Sequence, residues 1–121
     1  MADAEHALAR VSAICSELPE AERGLSGAHA RFSVRRRTFA YLLDDHRGDE
    51  GILGVVCKAP AGMAGGVIGA DPRYYAPAYL GPRGWIGLRL DTEAVDWDEV
   101  AGLITDSYAL VAPKRLVERI A

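Results

Sequence analysis

The sequence predicts an α+β domain, an antiparallel β-sheet of four to five strands flanked by N- and C-terminal helices. Apolar residues recur at helical spacing near both ends of the chain, whereas in the middle they alternate with polar residues. The turns between the alternating runs are short, which favours antiparallel pairing of consecutive strands. Runs of strands between terminal helices are typical of the α+β class. The 121 residues fit one domain with a single core, residues 1–121.

The first helix is predicted to begin after Asp3, whose side chain suits an N-cap, and to end at Leu18–Pro19. It ends there because the residue before a proline is disfavoured in the α conformation. A weaker strand is predicted near Arg23–Ser26. One apolar stripe follows the helical period in this helix and comprises Ala7, Leu8, Val11, Ile14, Cys15 and Leu18.

Alternation of apolar and polar residues predicts the next three strands. Arg31–Arg35 is the first, and Phe39–Leu43 is the second, with its odd-numbered residues expected on one face. Arg35–Arg37 lies between these two runs and is predicted to form a tight hairpin turn. A third strand is predicted over Gly51–Lys58.

The second half of the chain combines a glycine-rich segment, a strand and a well-capped helix. Ala61–Ala70 has helical spacing but several glycines, so a short helix is predicted there. Trp85–Leu90 alternates and is predicted to be a strand. Asp96 is placed to cap a long helix, and Pro113 ends that helix and begins a short final one.

Composition argues against some classes of protein, and only mildly against a nucleic-acid binder. Half of the residues are apolar and the formal net charge is −3, whereas a generic nucleic-acid binder carries a basic excess. No window is apolar enough to span a bilayer, so a cytoplasmic protein is expected. Cys15 and Cys57 are expected to be buried free thiols. The histidines lack ligand spacing, so no metal or other cofactor is expected.

Several short motifs, taken in order and spacing, resemble the MmcQ/YjbR-like family over nearly the whole chain. They are Gly27-Ala28-His29-Ala30-Arg31-Phe32, Phe39-Ala40-Tyr41, Lys58 before Pro60, Asp71-Pro72-Arg73-Tyr74, Gly84-Trp85, Trp97 after Asp96, and Ser107-Tyr108. The resemblance implies a frataxin-like (CyaY-like) α+β fold. It also implies a function suggested by the shape of that fold, in which the strand hairpins act as a double wing on DNA.

Arginines around the first hairpin form one candidate site. The residues proposed to contact nucleic acid are Arg31, Arg35, Arg36 and Arg37. Guanidinium groups at a hairpin tip suit phosphate oxygens, because they present several N–H donors in a planar fork. The alternative is that these charges are solvated and protect a strand edge from aggregation.

Polar and aromatic residues near several strand ends form a second candidate site. If the sheet brings these ends together, cation, imidazole and indole would suit an anionic, planar small molecule. The alternative is a loop whose aromatic residues only cover the sheet. The proposed ligand-binding residues are His29, Lys58, Arg73, Tyr74 and Trp85, together with Tyr75 and Tyr79.

The sequence therefore predicts a non-catalytic binding module, either for nucleic acid, such as DNA, or for a small anionic ligand. A monomer or weak homodimer is expected. One alternative is a small enzyme of unknown reaction that uses His29 and Lys58, although no nucleophile motif supports it. Another is a protein-interaction domain that uses the Tyr74–Trp85 loop.

Overall fold

The elements follow the predicted order, with one strand more than expected. The computed structural model describes residues 4–26, 29–44, 52–60, 62–77, 80–92 and 94–120. In chain order the described elements are α1 (Ala4–Ser16), β1 (Ala21–Ser26), β2 (His29–Val34), β3 (Arg37–Asp44), β4 (Leu53–Lys58), α2 (Met63–Val67), β5 (Tyr74–Tyr75), β6 (Trp85–Arg89), α3 (Trp97–Val111) and α4 (Lys114–Glu118). The α+β class is confirmed.

All six described strands pair antiparallel, in the order β1-β2-β3-β4-β6-β5, where four to five were predicted. The strand that the sequence does not reveal is β5, because two residues are too few for alternation to be recognised. One end of the sheet holds the β2–β3 turn, Lys58 and Trp85, and we call it the hairpin end. The opposite end, which we call the far end, holds His29, Leu53 and Arg89.

The helices cover one face of the sheet. Helix α3 packs on β3 and β4, and α1 packs on α3, β1 and β3. We call this side the helix face and the opposite side the outer face. Apolar burial on the helix face removes the most surface from water and is the main stabilising term. The strand residues buried there include Phe32, Val34, Phe39, Leu53, Val55, Cys57, Ile86 and Leu88.

Helix boundaries match the capping signals in the sequence. The Asp96 carboxylate accepts hydrogen bonds from the backbone N–H groups of Asp98 and Glu99, both at 3.1 Å, and α3 begins at Trp97. Pro113 precedes α4, as predicted. The short helix expected in the glycine-rich segment is α2. The predicted cap at Asp3 lies outside the described residues, as does the start of the predicted Gly51–Lys58 strand.

A β-bulge at Phe39 changes which residues of β3 face the helices. Phe32 pairs with Ala40, whereas the next residue, Ser33, pairs with Thr38, so Phe39 is an extra residue in β3. The Phe39 ring is fully buried and packs edge-on against Tyr108 of α3, with centroids 5.4 Å apart. The prediction that Phe39 shares a face with Tyr41 is therefore wrong, because the bulge interrupts the alternation.

Ser107 of α3 fills the gap that the bulge leaves between β3 and β4. The regular ladder reaches the pair Ala40–Cys57. Beyond it, the backbone N–H of Lys58 donates to Ser107 Oγ at 2.9 Å, and the Ser107 hydroxyl donates to the carbonyl oxygen of Phe39. Ser107 is fully buried, so one hydroxyl satisfies two backbone groups that lack strand partners there.

Ser107→Ala should lower the free energy of unfolding by about 1–3 kcal/mol, because it leaves a buried donor and a buried acceptor unsatisfied. Urea denaturation with a constant m-value would measure the change. Thr105→Ala is the matched control on the same helix and should change the free energy of unfolding by less than about 0.5 kcal/mol. Equal effects of the two substitutions would contradict the role given to the Ser107 hydroxyl.

Candidate functional site

The β2–β3 turn presents two arginines in a conformation that arginine rarely adopts. Val34 pairs with Arg37, so Arg35 and Arg36 form a two-residue turn, with φ of 50° and 66°. Positive φ at both central residues defines a type I′ turn, which favours asparagine and glycine. The tight turn predicted from the sequence is confirmed, and Arg37 belongs to β3. All three arginines are exposed.

Glu20 gathers basic residues from two distant parts of the chain. Its carboxylate forms a two-point ion pair with Arg35, at 2.7 Å and 3.0 Å. The hydrogen bond from Arg35 lowers the pKa of Glu20, and the charges of Arg115 and Arg119 act in the same direction. The charges of the β2–β3 turn and of the end of α4 therefore both act on Glu20. We call Arg35, Arg36, Arg37, Arg115 and Arg119 the basic cluster.

One contact and one backbone conformation position Glu20 beside Arg35. The Tyr108 hydroxyl donates to the carbonyl oxygen of Pro19 at 2.7 Å, which ties α3 to the corner between α1 and β1. Glu20 itself has a φ of 58°, in the left-handed region. Because α4 packs on α3, the same helix that holds Pro19 also positions Arg115 and Arg119.

On the outer face, Lys58 and Trp85 lie directly opposite each other in the pairing of β4 with β6. Side chains of such a pair point to the same face, with Cβ atoms about 5 Å apart. Tyr41 on β3 also faces outward, since it pairs with Val56. The rings of Tyr41 and Trp85 are 5.8 Å apart at an interplanar angle of 49°. These two rings therefore lean towards each other across β4.

Tyr75 extends this group of aromatic rings towards the sheet edge. It pairs with Gly87, and a Cβ atom at position 87 would overlap the Tyr75 ring. Glycine is thus required for the ring to lie flat on β6. Val56 is fully buried although it points to the outer face, in a row between Tyr41 and Gly87. We call Tyr41, Tyr75 and Trp85 the aromatic surface.

His29 does not join Lys58 and Trp85, contrary to the prediction that these strand ends converge. His29 begins β2 at the far end of the sheet, where its neighbour Ala30 pairs with Leu42. Lys58 ends β4 at the hairpin end. The expectation failed because Lys58 and Trp85 belong to adjacent antiparallel strands, whereas β2 runs so that its first residue lies at the other end.

Arg73 and Tyr74 lie on the helix face and form a structural network instead of a ligand site. Arg73 makes ion pairs with Asp71 and Glu99, and the Tyr74 hydroxyl donates to Glu99 at 2.7 Å. Hydrogen bonds from Arg73 lower the pKa of Asp71, and burial raises the pKa of Tyr74 to about 12. With two carboxylates beside it, Arg73 is already neutralised, so it is poorly suited to an added anion.

The remaining predicted residues are placed as follows. Arg31 is exposed on the outer face and pairs with Tyr41, with its guanidinium next to Gly24. Tyr79 lies outside the described residues. The sequence does not single out Glu20, Tyr41, Arg115 or Arg119 as site residues. The one signal available is the spacing of Arg115 and Arg119, four residues apart, which places them on one side of a helix.

Within the described ranges, no group of three histidine, cysteine, aspartate or glutamate residues is arranged to hold a metal ion. Cys15 and Cys57 are buried free thiols. Burial raises the pKa of Cys15 to about 12, so its thiol stays protonated at neutral pH and is a poor nucleophile. Among the described helices, none has the length and apolar character needed to cross a bilayer.

A family model settles the relationship that the motifs suggested. The YjbR model matches residues 16–110. The chain belongs to the YjbR family. The matched range of this YjbR protein contains the β2–β3 turn, Ser107 and the whole aromatic surface, whereas Arg115 and Arg119 lie beyond it. No curated protein matches the chain.

One solved structure supports the fold of this YjbR protein. The crystal structure of Deinococcus radiodurans protein DR2400, described as having a DUF419 domain, is similar with a TM-score of 0.68 and 20% sequence identity. The match covers 96% of this chain and 86% of that chain. At this level of identity the similarity shows a common fold.

Arg36→Gly should raise the free energy of unfolding by about 1 kcal/mol, because glycine adopts a positive φ without a steric penalty. The matched control is Arg37→Gly, which removes the same charge within β3 and should lower the free energy of unfolding by about 0.5–1 kcal/mol. Thermal and urea unfolding of both variants measure the difference. If both variants are destabilised equally, the turn does not have the type I′ conformation.

Proposed function

We propose that this protein is a non-catalytic nucleic-acid-binding module that contacts phosphates through the basic cluster. The observation that carries the proposal is the exposed β2–β3 turn, where Arg35 forms a two-point ion pair with the Glu20 carboxylate and where the charges of Arg115 and Arg119 also act on Glu20. The double-wing function implied by the family resemblance requires a frataxin-like fold. We propose that fold from the order of a helix, a consecutive antiparallel sheet and a C-terminal helix.

Local charge, rather than net charge, decides whether phosphates are attracted. The chain as a whole carries a formal charge of −3. Nevertheless, Arg35 contacts the Glu20 carboxylate at the hairpin end, and the charges of Arg115 and Arg119 also act on that carboxylate. At physiological ionic strength, charges separated by more than about 8 Å of solvent are largely screened from one another. Acidic residues farther away therefore weaken this site only slightly, whereas Glu20 and Glu22 line the same cleft as Arg35 and Arg36 and reduce its positive charge.

The backbone of the turn provides a second argument. Arginine at a left-handed position costs about 1–2 kcal/mol relative to a residue that favours it. Two consecutive arginines at such positions are therefore unfavourable for stability. Strained residues of this kind are concentrated at binding and active sites, where their side chains are needed. The two guanidinium groups at the hairpin tip fit such a role.

The Glu20 carboxylate shows how the basic cluster would hold a phosphate. Arg35 donates from Nε and one terminal nitrogen to both oxygens of Glu20. This parallel two-bond geometry is the one with which arginine binds phosphate. Glu20 and a phosphate would compete for the same donors, so we treat Glu20 as an internal competitor of the ligand.

The alternative of an enzyme that uses His29 and Lys58 has less support. The two residues lie at opposite ends of the sheet, on β2 and β4. General acid–base or nucleophilic catalysis needs its groups within hydrogen-bonding reach of one substrate. We therefore keep binding as the proposed function.

The double substitution Arg36→Ser with Arg37→Ser should weaken binding of a fluorescein-labelled oligonucleotide duplex, measured by anisotropy at a series of salt concentrations. The magnitude of the negative slope of log K, where K is the binding constant, against the logarithm of the salt concentration should decrease by about 2, since each phosphate contact contributes about 0.9. Arg35 is left in place so that its ion pair with Glu20 remains.

The control for this experiment is Arg10→Ser with Arg23→Ser, which changes the net charge equally on the helix side. Arg10 lies over the Trp97 ring and Arg23 contacts Ser12, away from the hairpin tip. The salt slope of this control variant should match that of the unaltered protein. The proposal fails if the intact protein binds no nucleic acid at low salt, or if both double variants lose affinity equally.

Glu20→Gln should strengthen nucleic-acid binding, because it removes the internal competitor and leaves Arg35 available to a phosphate. The salt slope should become steeper, its magnitude increasing by about 1, because one more phosphate contact is formed. Glu5→Gln, an equal charge change in the first turn of α1, is the control and should leave the slope unchanged. An equal gain of affinity in both variants would show that only net charge matters, and not the position of Glu20.

A further inference from the structure

We propose that the preferred ligand is single-stranded nucleic acid, with at least one unpaired base stacked on Tyr41 and Trp85 of the outer face. This inference rests on the proposed function and specifies its ligand. The nucleic-acid strand would pass from the basic cluster, around the hairpin end, onto the aromatic surface. Lys58 would neutralise a phosphate next to the stacked base.

The first step of the argument is the geometry of the rings. Strands β3 and β6 are separated by β4, so their backbones are about 10 Å apart. The Tyr41 and Trp85 ring centroids are nevertheless only 5.8 Å apart. Both rings keep part of their surface exposed, while Val56 in the same row of the sheet is fully buried. The rings are thus supported by the sheet and available to solvent.

The second step is the charge beside the rings. Lys58 lies directly opposite Trp85, and Arg31 lies directly opposite Tyr41 on the other side. Lys58 is thus the immediate cross-strand neighbour of Trp85 on the outer face, whereas the guanidinium of Arg31 extends towards Gly24 on β1. Aromatic rings next to basic groups on a sheet are the arrangement that binds single-stranded nucleic acid, since rings stack on bases and cations contact the backbone.

The third step is continuity with the basic cluster. Lys58 and Trp85 lie at the hairpin end of the sheet, the same end as Arg36 and Arg37. One strand of nucleic acid can therefore contact both surfaces without crossing the protein. In a duplex the bases are stacked and paired, so they cannot stack on Tyr41 or Trp85. The aromatic surface thus adds affinity for single strands alone.

The two tryptophans allow this inference to be tested by fluorescence. In a Trp97→Phe variant only Trp85 emits, and in a Trp85→Phe variant only Trp97 emits. Trp97 belongs to the helix layer, where it contacts Arg10 and His6. Titration of each variant with a thymidine oligonucleotide, with a duplex of equal length, and with thymidine monophosphate separates the possible ligands.

We expect the single strand to quench the fluorescence of Trp85 at low concentration and to change the fluorescence of Trp97 little. The duplex should bind without quenching the fluorescence of Trp85. Tyr41→Leu, which keeps an apolar side chain over β4, should weaken single-strand binding about tenfold and leave duplex binding unchanged. Circular dichroism of this variant checks that it is folded. If it is unfolded, Lys58→Gln takes its place, with the same preferential loss of single-strand binding expected.

Three outcomes would overturn the inference. Equal binding of single strand and duplex without quenching of Trp85 would leave the proposed function intact but show that the basic cluster acts alone. Quenching by thymidine monophosphate as strong as by the oligonucleotide would indicate a mononucleotide ligand instead. Absence of binding to any of the three would reject both this inference and the proposed function.

Discussion

The hydroxyl of Ser107 is the buried contact that stabilises the bulge of β3, through which a core residue joins the helix face. It joins the Lys58 N–H and the Phe39 carbonyl at the point where the direct pairing of β3 and β4 ends. The bulge at Phe39 is stable only because these two groups find a partner. With the bulge in place, Phe39 packs against Tyr108 in the core, whereas Tyr41, in the regular ladder of β3 with β4, faces outward beside Trp85. One buried side chain of α3 therefore satisfies the backbone at the bulge through which Phe39 joins the core.

The two residues of β5 point to opposite faces of the sheet. Tyr74 faces the helices and donates to Glu99, in a network that includes Arg73 and Asp71. Tyr75 faces the other way and covers Gly87. Arg73 is neutralised by the carboxylates around it, whereas Arg36 and Arg37 are exposed at the hairpin tip.

Much of this fold follows from the sequence alone. The helical stripes, the alternating strands, the cap at Asp96 and the break at Pro113 are local signals, since each depends on residues a few positions apart. The Arg35–Arg37 turn is equally local, because the lengths of the flanking strands leave only a tight connection. The sequence also groups Lys58 with Trp85, and the pairing of β4 with β6 places them opposite each other. The motifs along the chain point to the YjbR family, and the family model confirms that relationship.

The tertiary structure decided which of the predicted residues come together and which further residues join them. Alternation places Phe39 with Tyr41, but the bulge at Phe39 reverses that assignment, and a hydroxyl from a residue 68 positions away donates to the Phe39 carbonyl oxygen. Spacing places His29 near Lys58, whereas strand direction puts them at opposite ends. The α4 arginines carry no sequence signal for meeting Glu20, because the packing of α4 on α3 brings them there. Local order is encoded by neighbouring residues, but the composition of a surface depends on register, bulges and helix packing, which arise from contacts between residues far apart in the chain.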